Sequence, residues 1–124
     1  MNATVALVIA ALLSVETGGV RNPDRAIGDG GRAVGCLQMW PIAVAEANRL
    51  EEIEARREGR PTRTWTDADR TDRAAVVAMA AVTLRWHYRR GVTCPVALGG
   101  RWRNPRGDAP EWYLSKVSRE LEAR

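Results

Sequence analysis

The chain has 124 residues, 45% of them apolar and 27% charged, an ordinary balance for a single domain over residues 1–124 with its own core. Its formal net charge is +4, and 18 of the 19 Lys and Arg residues are Arg; this favours anionic partners, but the arginines are scattered, so nucleic acid is not an expected partner. One histidine and two cysteines without a CxxC spacing exclude a structural zinc site.

The first expected element is a helix from Ala3 to Glu16, capped by Asn2 and apolar all round, which marks a buried, central helix. Its start resembles the apolar part of a secretion signal, but no Lys or Arg precedes it, and a buried helix is the better reading. The run from Val5 to Leu13 is too short to cross a bilayer, so stable membrane insertion is not expected. Without a signal, export would need another route.

Residues 17–40 hold six glycines among short apolar pieces and read as an ordered loop with a small hairpin. A second helix is expected over Pro41 to Glu58, with Pro in its first turn and Gly59 past its end. Its apolar stripe reads as Ile42, Ala45, Leu50 and Ile53, and its EEIEARRE run as a solvated face. After a short linker, Thr66 is expected to cap a long helix to about Arg90, with Gly91 ending it. Pro95 opens a short helix to Leu98, Gly99 to Pro110 reads as loop, and Glu111 to Arg124 as a last helix with Tyr113, Val117 and Leu121 on one stripe. The fold class is therefore mainly α, with a small glycine-rich hairpin region (α+β).

Chemistry is expected where the first helix meets that loop. A carboxyl at the end of a buried helix, overhung by apolar residues, has its pKa raised by desolvation, as a general acid near neutral pH requires. Glu16 is that carboxyl, although a helix-end Glu can also be simply solvated. Asp29, between glycines, and Asp24, in an N-P-D turn, compete as its partner; the turn suits Asp24 to local backbone bonding, and Asp29 is preferred. Trp40, Trp102, Trp112, Tyr88 and Tyr113 offer flat faces of the kind sugars use, whereas Trp65 and Trp86 read as core. His87, the only histidine, reads as structural. Cys36 and Cys94 could form one disulfide or remain thiols.

Three segments in order, Glu16-Thr-Gly-Gly, then Ala26-Ile-Gly-Asp-Gly-Gly31, then Ala33-Val-Gly-Cys-Leu-Gln38, resemble the active-site region of goose-type lysozymes and soluble lytic transglycosylases. Further on, Arg101-Trp-Arg-Asn-Pro-Arg-Gly107 and Tyr113-Leu-Ser-Lys-Val117 resemble W-N-G-G-P-x-G and Y-W-x-K-V segments of small phage-type and bacterial lysozyme-like proteins. The first of these is altered and one residue shorter here, and Trp40 stands where goose-type enzymes can carry a second Asp.

The resemblance implies a lysozyme-like fold whose buried helix ends in the catalytic Glu. It implies a muramidase acting on peptidoglycan glycan strands at the bond between N-acetylmuramic acid and N-acetylglucosamine. Glu16 is then the catalytic acid and Asp29 the residue that helps activate water. Thr17, Gln38, Trp40, Trp102, Asn104 and Tyr113 are the residues expected at the substrate. Gln38 has two readings, a turn-stabilising amide or a contact to an N-acetyl group. With Asp29 roughly 6.5–9.5 Å from Glu16 and a water between, the reaction is an inverting hydrolysis. Otherwise the sugar's own 6-hydroxyl attacks and leaves a 1,6-anhydro end. No cofactor or metal is implied, and a monomer is expected, acting at the bacterial cell wall and delivered by a phage, carried on a virion or released by another route. A non-catalytic lysozyme-like module that binds glycan or protein is the alternative.

Overall fold

The computed structural model describes residues 2–124. The protein is mainly helical. Among the described residues there are five α-helices and one two-stranded antiparallel sheet. The helices are α1 (Ala3–Thr17), α2 (Pro41–Glu58), α3 (Arg73–Arg89), α4 (Pro95–Arg103) and α5 (Glu111–Glu122); β1 (Ile27–Gly28) and β2 (Ala33–Val34) form the hairpin between α1 and α2. Helix α1 packs against α3, α4 and α5, while α2 packs on α3.

Asn2 caps α1, its Oδ1 accepting from the amides of Thr4 and Val5 at 2.8 and 3.2 Å. Val5, Val8, Ile9 and Leu12 of α1 lie in the core beside Met79, Leu84, Leu98 and Val117. The helix is central but not buried all round, because Ala6 and Leu7 face solvent. Among the described residues no helix is long and apolar enough to cross a membrane. Both cysteines are free, Cys36 buried and Cys94 exposed.

The structure corrects three other expectations. Helix α2 has the expected bounds but a different inner face. Ile42, Ala45 and Ile53 are exposed, and the buried positions are Val44, Ala47, Leu50, Glu51, Glu54 and Ala55. The EEIEARRE run is therefore not simply a solvated face: two of its carboxylates lie inside because arginines meet them there. Arg60 contacts Glu51 and Glu54, while Arg85 and Arg89 reach Glu54 from α3. Thr66 opens a short 3₁₀ turn (Asp67–Thr71) rather than the long helix. The extended backbone of Asp72 separates that turn from α3, and the Asp72 carboxylate caps α3 by accepting from the Ala75 amide at 3.3 Å.

Finally, α4 continues through Gly99 and Gly100 to Arg103, where a loop was expected. These glycines serve close helix packing. A Cβ on Gly99 would stand 2.7 Å from Val117 Cγ1, and one on Gly100 2.8 Å from Leu114 Cδ2, both on α5.

Candidate active site

Glu16 lies in the last turn of α1, half-buried, and Tyr113 of α5 comes to it from across the core. The Tyr113 hydroxyl donates to Glu16 Oε2 at 2.6 Å. Burial raises the pKa of Glu16 above the ordinary value, and the nearby Asp29 charge pushes the same way. The Tyr113 hydrogen bond, Arg103 and Lys116 oppose that rise but do not cancel it. The Tyr113 phenol is raised in turn, by burial first and then by the Glu16 charge, so it remains a donor. The Tyr113 ring is buried in the core and outside the groove, so it reaches Glu16 through its hydroxyl rather than offering a face to a sugar.

The loop after Glu16 is fastened to α1 by Thr17. Its buried hydroxyl bonds the carbonyl of Cys36 at 2.8 Å and that of Leu13 at 3.3 Å. Thr17 is therefore a clamp between helix and loop, not a group presented to substrate, which corrects its expected place at the substrate. Gly35 is required at its position: φ is +89°, and a Cβ would collide with the Arg70 carbonyl. Gln38, itself at φ +51°, donates through Nε2 to Ala26 O at 3.2 Å and Gly35 O at 3.0 Å. The turn-stabilising reading of Gln38 thus describes its amide nitrogen, although the residue also lines the groove described next.

A groove of about 950 Å³ runs between α2, α3 and the end of α4. Asp29, Trp40 and Trp102 line it. Asp29 is exposed at φ +50°, a left-handed conformation that Asp tolerates better than most residues. Its Oδ2 accepts from Trp40 Nε1 at 3.2 Å, which holds the two groups together. Trp102 donates through Nε1 to the Leu37 carbonyl at 3.0 Å. Its tie to Leu37 joins α4 to the loop after Glu16.

Asn104 departs from expectation. Its Nδ2 donates to Asp108 O at 3.0 Å and its Oδ1 accepts from the Arg106 amide, so both ends of the side chain close the turn after α4. Asp24 pairs with Arg73 at 3.0 Å instead of serving local backbone. Trp65 is core as expected, but Trp86 is half-buried and lines the groove beside His87. Burial and the Arg101 charge hold the pKa of His87 below its ordinary value, so its ring is neutral at neutral pH. Trp112 is exposed, with Arg103 and Lys116 over its ring at 5.3 and 5.4 Å.

Arg103 and Lys116 were missed by reasoning from sequence. Lys116 follows Tyr113 by three positions, a spacing that puts both on one helix face, and this was the available signal. Arg103 had none, because its segment reads as loop. Glu16 does not itself line the groove; Asp29 and Arg103, which do, are the groove residues whose charges reach it. Among the described residues no cluster of His, Cys, Asp and Glu could hold a metal ion. The site thus has a half-buried carboxyl with a raised pKa, bonded by Tyr113, and a groove walled by Trp40, Trp86 and Trp102 whose Asp29 and Arg103 act on that carboxyl through their charges. Compared with known proteins, the chain matches no family model, no curated protein and no solved structure.

Proposed function

We propose that this protein is a muramidase of lysozyme-like fold, cleaving peptidoglycan glycan strands at the bond between N-acetylmuramic acid and N-acetylglucosamine. The observation that carries the reading is Glu16: a carboxyl with a raised pKa in the last turn of the central helix, oriented by the 2.6 Å bond from Tyr113. A carboxyl whose proton affinity is raised and whose orientation is fixed suits donation to a leaving glycosidic oxygen. As the C1–O bond breaks, positive charge develops on the sugar ring. The flat faces of Trp40 and Trp102 suit the sugar rings on either side of the bond.

Two endings follow from Asp29. Only its Oδ2 has a protein donor, so Oδ1 is free to accept from a water, take its proton and direct its oxygen to C1. That ending is an inverting hydrolysis. In the other, the 6-hydroxyl of the muramic acid attacks C1, its proton passes to the Glu16 carboxylate, and a 1,6-anhydro end results. The Asp29 charge acts on Glu16 in either ending, so the products separate the two.

The experiment is digestion of purified peptidoglycan, with mass spectrometry of the new ends, for wild type, Glu16→Gln and Asp29→Asn. Reducing ends are expected from wild type, none above background from Glu16→Gln, and few from Asp29→Asn. Anhydro ends from wild type would move the assignment to the lyase-type ending. Intact glycan with folded wild-type protein would overturn the reading and leave a binding module.

A further inference from the structure

The groove carries more positive charge than neutral sugars ask for. Four arginines line it, Arg49, Arg101, Arg103 and Arg106, against two carboxylates, Asp29 and Glu46. Arg49 is occupied by Glu46, at 2.6 and 3.0 Å. Arg103 lies over Trp112 and acts on Glu16. Arg101 and Arg106 have no carboxylate within ion-pair distance among the described residues. Their charges nevertheless converge on the groove: Arg101 disfavours protonation of His87, and Arg106 favours the ionised form of Glu46.

A simpler cause accounts for part of this pattern. Arg101 and Arg103 stand in the last turn of α4, where a helix dipole favours cations. It does not account for Arg106, which lies beyond that helix, nor for Arg101 and Arg106 both facing one concavity. Unpaired cations in a groove focus a positive potential and recognise carboxylates through their planar donor forks.

We infer that Arg101 and Arg106 form a subsite for an anionic group carried by the glycan, the free carboxylates of its peptide stems. The preferred substrate is then the peptide-bearing strand rather than the bare glycan. This rests on the glycosidase reading of Glu16. Phosphate groups of other wall polymers offer the same chemistry, so the substrates must separate the two.

Three preparations serve: peptidoglycan freed of phosphate polymers, the same material with its stems removed by an amidase and the exposed lactyl carboxylates capped as neutral methylamides, and the same bare strands with the phosphate polymer added back. Wild type is expected to show KM lower by on the order of tenfold for the stem-bearing strands, the weight of one charge-assisted contact. In Arg101→Gln/Arg106→Gln that preference should collapse. Equal KM for stem-bearing and bare strands, or a preference that survives in the double variant, overturns the subsite. A gain restored by the phosphate polymer alone assigns it to phosphate and overturns the stem assignment.

Direct binding keeps the two readings separable. Glu16→Gln is titrated with a soluble disaccharide–tetrapeptide and with the bare disaccharide, its lactyl carboxylate capped as a neutral methylamide. If wild type cleaves nothing yet the peptide-bearing ligand binds tighter in a salt-sensitive way, the glycosidase reading fails and the subsite stands. If cleavage is normal and both ligands bind alike, the subsite fails alone. Salt-sensitive binding of a single-stranded oligonucleotide that excludes the disaccharide–tetrapeptide would also overturn it.

Discussion

Glu16 sits between opposed influences. Burial favours its proton, while the hydrogen bond from Tyr113 favours its charge. Because the folded state holds the proton more tightly than the unfolded chain, the carboxyl adds stability below its ordinary value near 4.5 and withdraws that contribution as the pH rises through its raised value. Glu16→Gln cannot ionise. Thermal melts should show the variant more stable than wild type at about pH 8 and little different at about pH 4. Its turnover should fall by about 10²–10⁴-fold, the usual weight of a general acid. Tyr113→Phe removes the donor that favours the carboxylate, so the alkaline limb of the pH–rate profile should move to higher pH. An unchanged limb would mean that Tyr113 does not set the proton affinity of Glu16. Glu16 was legible because an acid closing an apolar helix conflicts with its surroundings, and such conflicts mark sites. The fates of Thr17 and Asn104 were not, because sequence gives a polar side chain but not which carbonyl it meets.

The element that positions the site is the loop from Gly18 to Trp40, and it is held by backbone contacts more than by a core of its own. Gly35 packs against the Arg70 carbonyl, Arg70 Nη1 returns bonds to the carbonyls of Arg32 and Met39 at 3.0 and 3.1 Å, and Thr17 ties Cys36. Gly35→Ala combines a strained φ with a collision, and should cost at least about 2 kcal/mol in denaturant unfolding. Thr17→Val keeps the shape but leaves the Cys36 carbonyl without its donor, a loss of about 1–2 kcal/mol. With Asp29 then less firmly placed, hydrolysis in Thr17→Val should fall more than binding of the disaccharide–tetrapeptide. Equal losses would place the loop outside the chemistry. Helix bounds were readable from Pro41, Gly59 and Gly91, which act through local φ and lost donors. The extension of α4 was not, since Gly99 and Gly100 are glycines for the sake of α5, a distant element that local pattern does not contain.

Across the whole molecule, two sets of four arginines stand apart from the rest. One set lies in the groove. The other, Arg60, Arg63, Arg85 and Arg89, converges on Glu51 and Glu54 and joins α2 to α3 and to the chain between them. This division was hidden in the sequence, where the EEIEARRE run has the pattern of a solvated face and the partners of its acids lie up to 35 positions away. Glu51 is fully buried, and Arg60 beside it, aided by the Arg63 amide, lowers its pKa to about 2. The sign is opposite to that of Glu16. Stability from Glu51 is present above its ordinary value near 4.5 and is lost as the pH falls through about 2. Glu51→Gln leaves Arg60 and Arg63 facing a neutral amide. Because those arginines are partly exposed, the expected cost near neutral pH is about 2 kcal/mol, below that of breaking a wholly buried pair. Urea unfolding between about pH 6 and pH 2 checks this. Wild type should lose stability toward acid more steeply than Glu51→Gln, so the two curves converge. Parallel curves would mean that Glu51 is not what ties α2 to its neighbours, and that acid sensitivity arises elsewhere in the fold.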